Sequence, residues 1–92
     1  ISTGGTLVRG VETLIERGAR KVYAAATHAI LAGNAARIIE NAPIEELVIT
    51  DTVPLPEEAR RLKNLTVLSV APLLGETIRR NYFNLSVSKL FD

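Results

Sequence analysis

The chain has 92 residues, 47% of them hydrophobic, and a formal net charge of +1. This length limits it to one domain, and the scatter of Lys and Arg among Asp and Glu gives no basic stripe for binding nucleic acid. No apolar run approaches the length of a membrane span, and without cysteine the chain has neither disulfides nor a thiolate metal site. A cytoplasmic protein fits this composition.

The beginning of the chain predicts a loop followed by an amphipathic helix. Apolar residues recur at helical spacing across residues 5–17, and charged residues occupy the opposite face. Thr3 or Thr6 is placed to cap the start of this helix, and Gly18 lies where helices commonly end. The sequence therefore predicts that the loop runs directly into the amino end of the helix.

The middle of the chain predicts two strands with a short helix between them. Residues 21–27 are mostly apolar, which is typical of a strand buried on both faces. Asn34 is a candidate N-cap for a helix that ends before Pro43, because a residue preceding proline disfavours helical geometry. Residues 46–50 then predict the second strand.

The last part of the chain predicts a polar connection, a strand, a helix and a short tail. Residues 51–63 contain two prolines, which argue against a central strand, although residues 57–62 allow one or two helical turns. Residues 66–70 predict the third strand. Residues 71–83 predict a helix with Pro72 in its first turn and with Leu74, Ile78 and Tyr82 aligned on one face.

The predicted order of elements indicates an α/β fold. Strands that alternate with helices form a parallel sheet with helices on both faces, and ligands gather at the carboxyl ends of its strands. By that rule the loop Ser2–Thr6, His28, Asp51 and Ala71 are expected along one rim of the sheet.

The Ser2–Thr6 loop carries the clearest chemical signal. Two adjacent glycines before a helix allow successive backbone N–H groups to converge, and the helix adds partial positive charge at its amino end. Such a loop suits a phosphate group bound by main chain. It is neither a Walker A motif nor a dinucleotide fingerprint. The alternative is that Gly4 and Gly5 only make a tight turn.

The run from Ile1 to Leu7 resembles the second half of the loop that type I phosphoribosyltransferases and ribose-phosphate pyrophosphokinases share. Further segments resemble the pyrophosphokinases alone, and together they cover nearly the whole chain in the right order. These segments are Ala26–Ala35, Val48–Pro54, Leu68–Ala71 and the terminal Ser86–Phe91. The spacing between them looks more archaeal than bacterial.

This resemblance implies a type I phosphoribosyltransferase-like fold in which residues 1–92 form part of the carboxyl-terminal domain, without its preceding strand and without the amino-terminal domain. It implies transfer of pyrophosphate from ATP to the 1-hydroxyl of ribose 5-phosphate, with Mg²⁺. The residues that match the 5-phosphate loop are Ser2, Thr3, Gly4, Gly5 and Thr6. No catalytic residue and no metal ligand are expected in this segment, so the isolated chain is expected to be inactive.

The resemblance also implies a homo-oligomer, with Ser86, Val87, Ser88 and Phe91 at a subunit interface or effector site. The residues themselves predict a short helical turn there, with Ser86 as its cap and Val87, Leu90 and Phe91 buried. Arg79 and Arg80 lie nearby and either serve an anion or form a solvated face.

Two polar residues at the predicted rim admit two interpretations. His28 is interpreted as a hydrogen-bonded structural residue rather than a base or metal ligand, because it lacks a carboxylate or cysteine at ligand spacing. Asp51 is interpreted as a turn residue rather than a contact to sugar or metal.

Other functions remain compatible with the residues. A fragment of a type I phosphoribosyltransferase is one, although the run Ser86–Phe91 argues against it. A catalytically silent regulatory relative of the pyrophosphokinases is another, and the intact Thr3–Thr6 run argues mildly against that. A designed half-domain is a further alternative.

Overall fold

The computed structural model describes residues 1–92, the whole chain. Four α-helices and three strands alternate, and a 3₁₀ helix, Ser88–Phe91, closes the chain. The elements in order are α1 (Gly5–Glu16), β1 (Tyr23–Ala26), α2 (Ala35–Glu40), β2 (Glu46–Thr50), α3 (Glu57–Arg60), β3 (Leu65–Leu68) and α4 (Ala71–Tyr82). None of these helices is both long and apolar enough to cross a membrane.

The three strands form one parallel sheet in the order β1-β2-β3. Tyr23 is paired with Glu46 at the start of the first ladder, and Leu47 is paired with Leu65 at the start of the second. All three strands therefore end at the same edge, where parallel α/β sheets bind ligands. The predicted α/β class with a parallel sheet is confirmed.

Helix α1 is anchored in the core by one buried residue and ends at a glycine. Val11 is 2% exposed and anchors the helix in the core, whereas Leu14 is 51% exposed. At the carboxyl end Gly18 has φ 103°, its amide donates to Ile15, and the Ala19 amide donates to Leu14. This is a Schellman motif, which satisfies the last carbonyls of the helix and needs a left-handed residue. The predicted stop at Gly18 is confirmed.

The hydrophobic core lies around β2 and α2. Leu47 and Ile49 of β2 and Ile39 of α2 are all fully buried. β2 is buried because it is the central strand, with a neighbour on each side. Burial of this kind contributes roughly 25 cal/mol per Å² of apolar surface, so this cluster is the main source of the fold's stability.

Strand β1 is less buried than its sequence predicts. Its side chains alternate between exposed and half-buried, and Tyr23 is 65% exposed. The prediction that this strand is buried on both faces is wrong for this chain. The reason is its position, because β1 is an edge strand and has only β2 as a neighbour.

The predicted side-chain caps are also absent. Asn34 takes the predicted N-cap position of α2, but its side chain makes no cap hydrogen bond. Gly4 is the N-cap residue of α1, so the predicted capping role of Thr3 or Thr6 is wrong. Gly4 takes the N-cap position of α1 in a left-handed conformation, which removes the geometry a threonine cap would need.

Helix α4 has the predicted start, with Pro72 in its first turn, but none of its residues is buried. The aligned residues Leu74, Ile78 and Tyr82 are 56%, 70% and 79% exposed. The helix is instead tied along its surface by Glu76, whose carboxylate lies 2.8 Å from Arg79 and 2.9 Å from Arg80.

This ion pair predicts a pH dependence of α4. The hydrogen bond from Arg79, with further help from Arg80, lowers the pKa of Glu76 from its ordinary 4.5 to about 2. A carboxylate whose pKa is lower in the folded protein stabilises the folded helix at pH values above the pKa of the unfolded chain. This stabilisation is lost as the pH falls from 4.5 towards 2. We therefore expect amide-exchange protection in α4 to fall over that range in the wild type, and Glu76→Gln to flatten the dependence. An equal dependence in both proteins would contradict the assignment to Glu76.

Candidate functional site

The Ser2–Thr6 loop turns at a buried glycine. Gly4 has φ 86°, in the left-handed region that residues with a Cβ rarely adopt. A Cβ placed on Gly4 would lie 3.6 Å from Ile39 Cγ1 and 3.9 Å from the Ala35 Cα. The loop therefore lies directly against α2. A Cβ would make only ordinary contacts there, so the backbone angle explains glycine at this position. Gly5, by contrast, has open space around it.

Unpaired donors gather at the start of α1. The first intrahelical bond across this end runs from the Val8 amide to the Gly4 carbonyl, at 3.0 Å, so the amides of Gly5, Thr6 and Leu7 have no partner in the chain. The hydroxyls of Ser2, Thr3 and Thr6 make no intramolecular hydrogen bond either. An open concavity of about 450 Å³ is lined by Ile1, Ser2, Thr3, Gly4, Thr6 and Leu7. Such a site offers hydrogen-bond donors and partial positive charge to an anion.

The start of the chain is fastened to the segment that follows β1. The terminal amine donates to the His28 carbonyl at 3.0 Å, and the Ile30 amide donates to the Ile1 carbonyl at 2.8 Å. This pair of bonds is the pattern of a parallel ladder, with Ile1 opposite Ala29. The Ala32 amide then donates to the Ser2 carbonyl at 2.8 Å. The loop thus extends from the edge of the sheet.

A hydroxyl cluster lies at the ends of β1 and β2. His28 Nδ1 and Thr52 Oγ1 are 2.8 Å apart, and the Thr50 hydroxyl donates to the Thr27 carbonyl at 2.6 Å. The Thr52 hydroxyl also donates to the Thr27 carbonyl, at 3.1 Å. His28 therefore joins two loops of the rim, as expected for a hydrogen-bonded structural residue.

Asp51 continues the rim from β2 to β3. Its Oδ1 accepts the Val70 amide at 2.8 Å, immediately before α4. This hydrogen bond, followed by one from Ser69, lowers the pKa of Asp51 below its ordinary value. Asp51 therefore links two connections instead of only capping its own turn. The predicted alignment of the Ser2–Thr6 loop, His28, Asp51 and the start of α4 along one rim is confirmed by these contacts.

The carboxyl terminus, Ser86–Phe91, contacts α4 through Arg80, and this segment is called the carboxyl-terminal hook. Arg80 donates to the Ser86 carbonyl at 3.0 Å, and the Ser86 and Ser88 hydroxyls are 3.0 Å apart. The predicted cap at Ser86 is wrong, because the 3₁₀ helix starts at Ser88 after Val87, without a side-chain cap. Phe91 is 73% exposed, so its predicted burial is wrong for this chain. Val87 and Leu90 are only half-buried, so neither reaches the burial that was predicted for it.

Leu31, next to the loop, was not predicted from the sequence to have any special role. Leu31 has φ 52° and is 2% exposed, although it belongs to the apolar run after His28 that reads as an ordinary connection. The only local signal is Gly33, which marks a turn but not the residue that makes it. Leu31 lies beside the bonds from Ile30 and Ala32 to the start of the loop.

The whole chain, residues 1–92, matches the family model described as the phosphoribosyl synthetase-associated domain. The chain belongs to this family. Its relatives include ribose-phosphate pyrophosphokinases, which agrees with the family whose motifs the sequence resembles. The archaeal affinity suggested by the spacing stays a prediction.

Three of these relatives show the extent of the similarity. The protein of Caldanaerobacter subterraneus subsp. tengcongensis is 50% identical over 99% of this chain and 28% of its own length. The proteins of Haemophilus ducreyi and Oceanobacillus iheyensis are 48% and 52% identical over the whole chain and 29% of their own lengths. The chain therefore spans less than a third of these curated relatives.

The fold also resembles a solved structure of the same kind. The crystal structure of phosphoribosylpyrophosphate synthetase from Mycobacterium smegmatis superposes with a TM-score of 0.87 at 43% sequence identity. The match covers 91% of this chain and 28% of that one. Both the sequence and the fold of this chain thus correspond to one part of a longer protein.

Proposed function

We propose that this chain supplies the 5-phosphate-binding loop of a ribose-phosphate pyrophosphokinase, which transfers the pyrophosphoryl group of ATP to the 1-hydroxyl of ribose 5-phosphate. The observation that carries the proposal is the Ser2–Thr6 loop, where free amides and hydroxyls surround a concavity at the start of α1. Identity of about 50% to enzymes of that name over the whole chain supports this reaction over others that use phosphate loops.

Each part of the loop has a role in this proposal. The amides of Gly5 and Thr6 donate to the phosphate oxygens, and the hydroxyls of Ser2, Thr3 and Thr6 add further donors. Gly4 gives the turn that brings these groups together. Because phosphoryl transfer depends on positioning, the loop contributes by holding the sugar while the 1-hydroxyl is presented to ATP.

The remaining machinery is assigned to the part of the longer protein that this chain does not contain. Mg²⁺ neutralises phosphate charge in reactions of this class. No group of three or more His, Cys, Asp or Glu side chains in this chain is placed to hold a metal ion, and Asp51 is occupied by the Val70 amide. The chain alone does not fit a magnesium site, so no step is assigned to the ion here. The ATP contacts likewise belong to the missing part.

The carboxyl-terminal hook is proposed as a contact between subunits of a homo-oligomer. Ser86, Val87, Ser88 and Phe91 are the residues concerned. The support is the exposed phenylalanine ring, 73% accessible, next to the half-buried residues Val87 and Leu90. Aromatic residues are enriched at the core of such interfaces.

Binding of ribose 5-phosphate to the chain tests the proposed loop function. We expect calorimetric titration to give a dissociation constant on the order of 1 mM, since only one end of the sugar is held. Ribose without its phosphate is the control, and we expect it to bind at least about tenfold more weakly, because charge-assisted hydrogen bonds contribute about 1.5–3 kcal/mol each. Equal affinity for the two sugars would show that the site does not recognise phosphate.

A further inference from the structure

Leu31 combines two properties that are rarely found together. Its φ of 52° is left-handed, and its side chain is 2% exposed. The other non-glycine residue with positive φ, Asn84, ends α4 in a Schellman arrangement, where this conformation is common. Leu31 has no such reason, and a branched apolar side chain is disfavoured there. The surrounding contacts must therefore hold the backbone of Leu31 in place.

The left-handed residue changes the register with which the chain start is bound. Ile1 pairs with Ala29 as in a parallel ladder, and in a regular ladder the next donating amide of the segment after β1, that of Ala32, would bond to the Thr3 carbonyl. In the structure the Ala32 amide donates to the Ser2 carbonyl instead, at 2.8 Å, and the Leu31 amide lies 3.4 Å from the Ile1 carbonyl. The turn at Leu31 thus ends the ladder one residue early and leaves Thr3 outside it.

The side chain of Leu31 packs in the same core as both ends of the Ser2–Thr6 loop. Leu31 is a member of the buried cluster, and Ile1 and Leu7 are partly buried against that cluster. Ile39, which contacts the position of Gly4, belongs to it as well. One buried residue therefore influences the loop through its backbone, at Ile1 and Ser2, and through the core, at the loop's flanks.

We propose that Leu31 is a positioning residue for the Ser2–Thr6 loop, and that it acts by releasing Thr3 from the sheet so that its amide and hydroxyl face the concavity. This inference rests on the proposed phosphate role of the loop only for its functional consequence. The structural part, that Leu31 sets the conformation of Thr3 to Thr6, stands independently of any ligand.

Variants of the 92-residue chain separate positioning from a merely structural role. Leu31→Ala removes the packing and Leu31→Met keeps the volume. Leu62→Ala removes another leucine of the same core, which follows α3 and is 9% exposed. Nitrogen-15 spectra and amide exchange are recorded without ligand, under conditions where denaturant titration shows each variant folded. Ribose 5-phosphate is then titrated into each variant.

In Leu31→Ala we expect the amide signals of Thr3, Gly4 and Gly5 to move and the Ala32 amide to exchange at least about tenfold faster, because its partner at Ser2 is no longer held. We expect ribose 5-phosphate affinity to fall about tenfold as the donors lose their alignment. Leu31→Met and Leu62→Ala should retain the wild-type loop signals and affinity.

Two results would overturn the proposal. Unchanged loop amides in Leu31→Ala would show that the residue does not set the loop, and equal changes in Leu62→Ala would show only a general loss of core stability. If the wild-type chain does not bind ribose 5-phosphate, the proposed function fails, while the ligand-free spectra still decide the role of Leu31.

Discussion

Replacing Gly4 by alanine should destabilise the fold and abolish ribose 5-phosphate binding. Gly4 holds φ 86°, and a left-handed conformation costs an alanine about 1–2 kcal/mol. The added Cβ would also lie against Ile39 at 3.6 Å, an ordinary contact, so the backbone conformation and not a clash dominates the loss. If the chain relieves the strain by changing φ, the amides of Gly5 and Thr6 change direction and the proposed phosphate contacts are lost. Denaturant titration and calorimetry measure the two effects.

Gly75→Ala is the matched control for this substitution. Gly75 lies inside α4, its position for a Cβ is open, and it has no positive φ. Alanine should therefore stabilise α4 by up to about 1 kcal/mol and leave sugar binding unchanged. A Gly4→Ala protein with wild-type stability and affinity would show that the left-handed turn is not required.

The isolated 92-residue chain should form no AMP from ATP and ribose 5-phosphate. Its loop is proposed to hold one end of one substrate, and the ribose-phosphate pyrophosphokinases that it resembles are more than three times as long as this chain. ATP and magnesium binding is proposed for the part that this chain does not contain. Without that part, the positioning that accelerates phosphoryl transfer is lost, and such positioning is worth about 7–11 kcal/mol in well-oriented reactions. A coupled assay for AMP, with enzyme concentrations high enough to detect single turnovers, measures this.

The control for this assay is the same chain within a full-length protein. Fused to the amino-terminal part of a relative such as the Caldanaerobacter enzyme, which is 50% identical over this segment, the chain should restore AMP formation. The fusion carrying Gly4→Ala should then lose most of it. AMP formation by the 92 residues alone would overturn the assignment of catalysis to the missing part.

The elements that the sequence predicted well are those whose signals are local. Helix α1 was predicted for residues 5–17 and observed for Gly5–Glu16, because its apolar spacing and the glycine at its end act within a few residues. Strand β2 was predicted with its observed bounds, Glu46–Thr50, since a short apolar run between turns suffices for a central strand. The common rim followed from the parallel order of the strands.

The incorrect predictions concern features that depend on distant residues. The burial of β1 and of Phe91 depends on what lies beside them, and in this chain Tyr23 and Phe91 are 65% and 73% exposed. The N-cap position of α1 is taken by the left-handed Gly4, which lies against α2 in the fold, and not by the nearest threonine. Leu31 was missed for the same reason, because its segment is hydrogen-bonded to Ile1 and Ser2, far from it in sequence.

The most direct test of the central claim is a nitrogen-15 titration of the chain with ribose 5-phosphate. We expect the amide signals of Gly5 and Thr6 to shift most and those of Gly4 and Leu7 to shift less, and we expect ribose without phosphate to leave all four in place. Arg79 and Arg80, already paired with Glu76, should not respond. Shifts centred on those arginines or on the carboxyl-terminal hook, with a silent Ser2–Thr6 loop, would contradict the account.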